Sequence, residues 1–130
     1  FRSDKGWQVL DSHEESFRKA IASGVKVAMG TDQGTPVNKP GENAQEILRT
    51  ARLGLSNAAS LLAATAWAAD LLGLAGEVGR IQPALAADLL VLDRDPLEDL
   101  GVLTDSTAIR AVIQAGRVVR TDLASIEGDS

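Results

Sequence analysis

The stretch Val25-Lys26-Val27-Ala28-Met29-Gly30-Thr31-Asp32 decides how the rest of the chain is interpreted. It is a short run of β-branched and small residues that ends in a glycine, a hydroxyl and a carboxylate. Helical patterns precede and follow it, so the sequence predicts a buried parallel strand between two crossover helices. In open and closed α/β sheets the carboxyl ends of such strands carry the functional groups, which makes Asp32 the first candidate site residue.

Alternation along the predicted strand distinguishes its two faces. Val25, Val27 and Met29 share a bulky face, whereas Ala28 and Gly30 lie on a small face that ends at the carboxylate. If the sheet closes into a barrel, the bulky face packs outward on helices. The carboxylate then overhangs the mouth, where a substrate or a metal would lie.

Composition and charge exclude several classes of protein. The chain has 130 residues, 45% of them hydrophobic, which is enough for one domain with an apolar core. Its 13 basic and 18 acidic residues give a formal net charge of −5 without a basic stripe, so no nucleic-acid partner is expected. Cysteine is absent, which excludes disulfides and thiolate metal sites. No transmembrane or signal-peptide pattern is recognised, so we expect a cytoplasmic protein without a membrane partner.

The segment before the strand is predicted to end as a helix. Residues 1–10 mix charge and glycine and are predicted to form a loop. Ser12 and Glu15 have the spacing of a capping box, which predicts a helix of roughly ten residues that ends at Gly24. The chain starts at Phe1 instead of a methionine, so we expect it to be a piece of a longer protein.

The segment after the strand is predicted to be an irregular loop followed by helices. Glycines and prolines punctuate the loop, and a second helix begins at Glu42 and stops near Gly54. Ser56 and Thr65 are each placed to cap a further short helix, and the last of these ends at Gly73. Residues 1–75 are therefore interpreted as one helix–strand–helix unit.

From residue 76 the hydrophobic period changes to that of β-strands. Four short strands are predicted: Val78–Ile81, Ala87–Asp93, Ile109–Ile113 and Arg117–Arg120. Ala115 and Gly116 join the last two strands in a hairpin. Because alanine tolerates positive φ poorly, a type I turn with Gly116 in the left-handed region is favoured over a type I′ turn. Residues 76–120 are interpreted as a β subdomain and residues 121–130 as a tail.

The order of several short segments resembles a known family. The segments are Gly24–Asp32, Gly41–Glu46, Ala63–Thr65 with Leu72–Leu74, Val78–Pro83 and Ala87–Asp93. Each is weakly specific alone, but the ordered set runs from about Ser12 to Arg120. Together they resemble the C-terminal part of the amidohydrolase superfamily, and the nearest groups are the Xaa-Pro dipeptidases and imidazolonepropionase-like enzymes.

The resemblance implies a fold and a reaction. The fold is α/β: the C-terminal end of a TIM-like (β/α)8 metallo-hydrolase barrel in residues 1–75, plus part of a small composite β-sandwich in residues 76–120. The reaction is hydrolysis of carbon–nitrogen bonds in amides, dipeptides or cyclic amides. Asp32 matches the family's aspartate at the end of the eighth strand, which ligates metal and moves a proton from the attacking water to the leaving nitrogen. A carboxylate suits this role because a divalent cation keeps it ionised and lowers the pKa of bound water.

The resemblance also identifies ligands that this sequence lacks. Such a site takes an HxH pair, a carboxylated lysine or a glutamate, and histidines from two later strands. This chain has a single histidine, His13. One carboxylate cannot hold a zinc ion. We therefore expect a divalent metal, with zinc as the expected ion, in the intact parent enzyme and none bound to this chain alone.

Two positions depart from the family's usual pattern. Pro83 is followed by Ala84 and Leu85, where the family commonly has a glycine and a lysine. Pro40 stands before the Gly-Glu-Asn triplet, where the family often has a histidine. These departures bear on the substrate more than on the fold.

Structural roles compete with functional ones at the remaining candidates. Thr31 either orients Asp32 through a hydroxyl hydrogen bond or begins the loop, and the sequence leaves both open. His13 is expected at an exposed structural position, and Glu42 and Asn43 in the first turn of a helix. Asp88 is expected to serve the turn into its strand, and Trp67 to lie in the core.

Two functions from different classes are compatible with the sequence. The leading hypothesis is the C-terminal portion of a metal-dependent hydrolase that acts on a small amide or dipeptide and is catalytically incomplete as this chain alone. The alternative is a non-catalytic α/β association module that retains the barrel end and the β subdomain. The expected partner is the remainder of the barrel or a second copy of the chain, because open strand edges recruit other strands.

Overall fold

Helices form the first part of the structure and a small antiparallel sheet forms the second. A computed structural model describes residues 4–34 and 39–121. The elements are α1 (Asp4–Ala22), α2 (Ala44–Arg52), α3 (Asn57–Ala64), α4 (Ala66–Leu71), β1 (Leu89–Leu92), a 3₁₀ helix (Leu100–Thr104), β2 (Ile109–Gln114) and β3 (Arg117–Thr121). The α/β class is therefore as predicted. The predicted tail beyond Thr121 lies outside the described residues.

Helix α1 is longer than the sequence predicted. It spans 19 residues from Asp4, so the predicted loop before Ser12 is wrong from residue 4 onward. Ser12 is not a cap but lies inside the helix, where its carbonyl accepts the Ser16 hydroxyl at 2.8 Å. Gly6 weakened the helical signal, yet one glycine costs a helix no more than about 1 kcal/mol. Two ion pairs stabilise α1, and each joins side chains one helical turn apart. They are Glu14–Arg18 at 3.0 Å and Glu15–Lys19 at 2.7 Å.

Three of the helices end at the glycines that the sequence identified. At the end of α1, the Gly24 N–H donates to the Ile21 carbonyl at 2.9 Å and the Val25 N–H donates to the Ala20 carbonyl at 3.1 Å. This is the Schellman arrangement, and it requires a left-handed residue, which Gly24 supplies at φ 74°. The same pair of hydrogen bonds ends α2 at Gly54 and α4 at Gly73.

The segment from Val25 to Asp32 does not form the predicted strand. It is extended but belongs to no sheet within the described residues, whose one sheet contains β1, β2 and β3. A strand is defined by ladder hydrogen bonds to a neighbour, and a chain segment cannot supply those bonds by itself. The described residues place helix α3 beside this segment, and the Met29 N–H donates to the Ala63 carbonyl at 2.9 Å.

The junction between α3 and α4 is a single residue, Thr65. Ser56 caps α3 as predicted, because its Oγ accepts the Ala59 N–H at 3.1 Å. Thr65 does not cap α4. Its hydroxyl donates backward to the Leu61 carbonyl at 2.7 Å, because a single-residue junction keeps the preceding helical turn within reach.

The sheet is antiparallel, in the order β1-β2-β3. Leu90 pairs with Val112, and Val112 pairs with Arg120, so these three side chains lie in one cross-strand row. The strand predicted at Val78–Ile81 is absent from the described residues. The Val78 N–H instead donates to the Leu74 carbonyl at 3.1 Å, so local turn formation removes it from any ladder.

A two-residue hairpin joins β2 and β3 at the predicted place but with a different turn. Both Ala115 (φ 48°) and Gly116 (φ 76°) are left-handed, which is the type I′ turn, so the predicted type I turn is wrong. A contact distant in sequence holds this conformation: the Ala115 N–H donates to Asp88 Oδ1 at 2.7 Å. The Gly116 N–H donates to the Ala87 carbonyl at 3.0 Å. Asp88 was predicted to serve the turn into its own strand, but its carboxylate instead holds this hairpin turn, 27 residues away along the chain.

The enclosed core is built from small side chains. Its members are Ala63, Ala66, Ala69, Leu100, Val102, Ala108 and Ala111. Trp67 is half-buried and not part of this core. Large apolar side chains instead lie at the surface, including Leu71 at 75%, Leu72 at 70% and Ile81 at 87% exposure. Soluble monomers rarely expose extended apolar patches, so this degree of exposure is unusual for side chains of this size. No helix within residues 4–34 and 39–121 is both long enough and apolar enough to cross a membrane.

Gly79 lies close to helix α4 and to the junction that precedes it. A Cβ there would lie 2.7 Å from the Ala69 Cβ and 3.0 Å from the Thr65 carbonyl oxygen, and its φ is +88°. We expect Gly79→Ala to lower the free energy of unfolding by more than about 2 kcal/mol, from left-handed strain plus overpacking. Urea denaturation measures this. The control is Gly76→Ala, where a Cβ meets nothing within 4 Å; equal effects of the two substitutions would contradict the packing at Gly79.

Ala84 is strained in the turn where the family commonly has glycine. The Leu85 N–H donates to the Gln82 carbonyl at 3.3 Å, Pro83 precedes, and Ala84 has φ 70°, as expected for a type II turn. We expect Ala84→Gly to raise the free energy of unfolding by about 0.5–1 kcal/mol, because relief of strain exceeds the added flexibility of the unfolded chain. Thermal unfolding measures it. Ala75→Gly, at an ordinary φ, should destabilise; a loss of stability at both positions would contradict this account of the turn.

Candidate functional site

Asp32 lies near the end of an extended segment that leaves α1 and crosses α3. The segment is attached at Met29, whose N–H donates to the Ala63 carbonyl at 2.9 Å. Met29 is half-buried and Ala63 is fully buried, so this attachment point is inside the protein. The carboxylate therefore stands three residues beyond a fixed point on the helix layer.

The Asp32 side chain is exposed and its backbone is left-handed, with φ 47°. Aspartate and asparagine adopt this region several-fold more often than other non-glycine residues. The neighbouring side chains on both sides, Thr31 and Gln33, are half-buried. The arrangement thus presents one carboxylate to solvent between two side chains that turn toward the protein.

The described residues do not complete a metal site around Asp32. Within residues 4–34 and 39–121, no group of three or more histidine, cysteine, aspartate or glutamate side chains is placed to hold a metal ion. His13 lies exposed on α1, in agreement with its predicted surface position. A structural zinc site needs four ligands and a catalytic one needs three. The donors present therefore do not fit a divalent ion by themselves.

Acidic side chains do gather elsewhere, around Arg94. Its guanidinium contacts Asp93 at 3.2 Å, Asp105 at 2.9 Å and Asp99 at 3.8 Å. The hydrogen bond that Arg94 donates to the Asp93 carboxylate is the largest cause that raises the pKa of Arg94. The cation already occupies the centre of this cluster, so the cluster is a solvent-exposed ion-pair network and not a metal centre.

A cleft of about 780 Å³ lies between the helices and the sheet. Apolar side chains from both layers form most of its lining, including Ile47, Leu61 and Leu89. Asp32 is not part of the lining. The cleft is therefore separate from the exposed carboxylate, although Met29 of the same extended segment contributes to its lining.

One residue of the site was not anticipated from the sequence. The Nε2 atom of Gln33 is buried and has no hydrogen-bond partner among the residues that the structure describes. No motif identifies it; the signal that was available is its position directly after Asp32. Of the candidate residues from the sequence, Asp32 directly precedes Gln33 and Thr31 lies two residues before it, whereas His13 is on α1.

Comparisons of the sequence with known proteins all find members of one family. Residues 5–119 match the Amidohydrolase family. The chain is 38% identical over 101 residues to an imidazolonepropionase of Rubrobacter xylanophilus, an alignment that covers 76% of this chain and 24% of that protein.

Two solved structures resemble the fold. A Xaa-Pro dipeptidase with bound methionine in its active site superposes with a TM-score of 0.71 at 33% identity, over 81% of this chain and 25% of that one. A putative prolidase from Bifidobacterium longum superposes with a TM-score of 0.74 at 36% identity, over 82% and 26%. The chain thus spans about a quarter of the length of these relatives, and the resemblance stated from the sequence motifs is confirmed.

The hydrogen bonds and ion pairs of the Arg94 cluster make the free energy of unfolding depend on pH. Hydrogen bonds from the Thr107 hydroxyl and N–H, aided by Arg94 and the Ala108 N–H, lower the pKa of Asp105. A carboxylate with a lowered pKa stabilises the fold above its unfolded pKa of about 3.9, and this contribution disappears as the pH falls through the folded pKa. We expect Asp105→Asn to be less stable than the wild type at neutral pH and equally stable near pH 2.

Urea denaturation of both proteins between about pH 2 and pH 7 measures this difference. Glu98→Gln, at an exposed carboxylate of the same turn region, is the matched control and should show a smaller dependence. A difference between wild type and Asp105→Asn that stays constant over the whole range would contradict the assigned hydrogen bonds.

Proposed function

Because this chain belongs to the amidohydrolase family, we propose that it is the C-terminal portion of a metal-dependent hydrolase acting on carbon–nitrogen bonds. The observation that carries the proposal is the extended segment that is attached to α3 at Met29 and presents the exposed Asp32. The segment lies inside the stretch that matches the family. The family and the α/β fold rest on the match to the Amidohydrolase family and on the similarity to solved structures.

We assign the acid–base role to Asp32. A carboxylate that is exposed, yet three residues from a buried attachment point, can accept a proton from an attacking water and return it to a leaving nitrogen. The same side chain is proposed as one of several metal ligands in the intact enzyme, with zinc as the proposed ion. The other ligands come from outside the described residues, because those residues hold no suitable group of donors.

The apolar surface supports a chain that functions within a larger assembly. Leu71, Leu72 and Ile81 are more than two-thirds exposed, and the cleft beside the sheet is lined by apolar side chains. Covering such surface contributes about 25 cal/mol for each Å² removed from water. We propose that the remainder of a TIM-like (β/α)8 barrel covers the helix side and that further strands complete a β-sandwich with the sheet.

The proposed substrate class follows from the relatives. They include an imidazolonepropionase and a Xaa-Pro dipeptidase, so the class is a small amide, dipeptide or cyclic amide. Pro40 and Ala84 differ from the residues common in the family, so the proposal stops at this class. We place the activity in the cytoplasm.

Replacement of Asp32 tests the proposal in the longer polypeptide that supplies the remaining ligands. We expect Asp32→Asn to lower kcat by about 10²- to 10⁴-fold, the usual contribution of general acid–base catalysis. The fold should be retained, because asparagine tolerates the left-handed backbone at this position. Steady-state kinetics on a panel of dipeptides and cyclic amides measures kcat, and thermal unfolding measures the fold.

Asp11→Asn provides the matched control, an exposed aspartate on α1. It should leave kcat unchanged. Activity of Asp32→Asn within a factor of a few of the wild type would refute the role of this carboxylate, and a wild-type polypeptide without hydrolysis would favour the non-catalytic association module.

A further inference from the structure

The cleft between the helices and the sheet follows the free edge of β1. Its lining includes every residue from Asp88 to Leu92. Successive side chains of a strand point to opposite faces of the sheet, so a surface that touches consecutive residues lies along the edge of the strand and not over one face. Within residues 4–34 and 39–121, β1 pairs with β2 alone. The backbone groups on the other side of β1 therefore face this cleft.

The two edge strands of the sheet differ in charge. The opposite edge, β3, carries Arg117 and Arg120, and all of its residues are exposed. Charged side chains are one way in which proteins keep an exposed edge strand from pairing with further strands. The sequence of β1 is LLVL, without a charge or a proline. The side chains of β3 therefore suit an exposed edge, whereas those of β1 suit a strand that is paired on both sides.

The helices make the same cleft apolar. Ile47 of α2 and Leu61 of α3 contribute to its lining. The charged side chains in the described lining already have partners, because Arg80 contacts Asp70 at 2.7 Å and Asp88 Oδ1 accepts a backbone N–H of the β2–β3 hairpin at 2.7 Å. A charged segment in the cleft would lack a counterion, whereas an apolar segment would gain free energy from the surface it buries.

We propose that β1 is an internal strand of the complete protein, paired on its free edge with an extended apolar segment from the part of the polypeptide outside this chain. Main-chain hydrogen bonds hold the segment to β1, and its alternate side chains fill the cleft. This chain spans only about a quarter of its relatives, such as 26% of the putative prolidase, so the complete polypeptide has residues to supply the segment. The hydrolase function does not require this placement, and the inference stands apart from it.

A second copy of this chain is a poorer partner for β1. A symmetric pair of identical edge strands is antiparallel, so Asp88 of one copy would lie close to Asp93 of the other. Like charges across a strand pair are destabilising. The formal net charge of −5 on each copy adds to the repulsion. The charges of the chain therefore favour a different, apolar segment as the partner.

Amide hydrogen exchange tests the inference in the same longer polypeptide. Residue-resolved NMR would compare the amides of β1 that point away from β2 with the amides of β3 that point away from β2. We expect those of β1 to exchange at least about 10-fold more slowly, because a hydrogen bond to the added segment must open before exchange. The comparison is made within one molecule, so differences in overall stability do not affect it.

A pair of variants tests the cleft itself. Val91 lies on β1 in the lining of the cleft and is 38% exposed in this chain, whereas Val118 on β3 is 60% exposed and outside the described lining. We expect Val91→Lys to lower the melting temperature of the longer polypeptide and to remove the slow exchange on β1, because a charge on an edge strand blocks pairing. The matched control, Val118→Lys, should leave both unchanged.

The outcomes separate this inference from the proposed function. Equally fast exchange on the outer amides of β1 and β3 would overturn the pairing of β1, including the case in which only water or a small molecule fills the cleft. Slow exchange on β1 that is lost when sedimentation shows the polypeptide to be monomeric would make a second copy the partner and also overturn it. Hydrolysis of amides without slow exchange on β1 would overturn this inference alone. Slow exchange without hydrolysis would support it and overturn only the proposed function.

Discussion

The hydrogen bond between the Met29 N–H and the Ala63 carbonyl is the contact on which the placement of Asp32 depends. It joins an extended segment to a fully buried residue of α3 at 2.9 Å. The same helix ends at Thr65, whose carbonyl is a close neighbour of Gly79. One junction between two helices therefore supports the candidate site on one side and the entry to the sheet on the other.

This contact also explains what the segment lacks. A central strand of a parallel sheet is hydrogen-bonded along both edges, whereas residues 25–34 are attached through a helix within the described part of the chain. The apolar surfaces of the helices and the open cleft fit the same account. This chain matches about a quarter of the length of larger proteins, such as 26% of the putative prolidase. We expect the residues that would contact these surfaces to lie in the other parts of such a protein.

The features predicted correctly from the sequence are those fixed by neighbours in the chain. Gly24, Gly54 and Gly73 end helices because the Schellman hydrogen bonds join residues within one turn of each other. The hairpin at Ala115 and Gly116 was likewise placed by its local pattern. Its turn type was not, because the left-handed alanine is held by Asp88, which is distant in sequence. The start of α1 was missed because Gly6 weakens the helical pattern of the sequence, although the helix continues through it.

At the candidate site, too, the features set by neighbouring residues were predicted and those set by distant contacts were not. Asp32 was identified because it ends an apolar run, which is a property of the sequence alone. The absence of strand pairing in the described residues depends on which segments lie beside Val25 to Asp32, and a sequence pattern does not report that. Gln33 was missed for a related reason, since its significance lies in a buried atom without a partner and not in a motif.

The central claim is that the metal and the activity require ligands from outside this chain, and zinc binding tests it most directly. The isolated 130-residue chain would be dialysed against a zinc buffer and then against buffer alone, and its zinc content would be measured together with hydrolysis of dipeptides and cyclic amides. The account predicts no stoichiometric zinc and no hydrolysis, because one carboxylate does not hold the ion. One tightly held zinc per chain would contradict it.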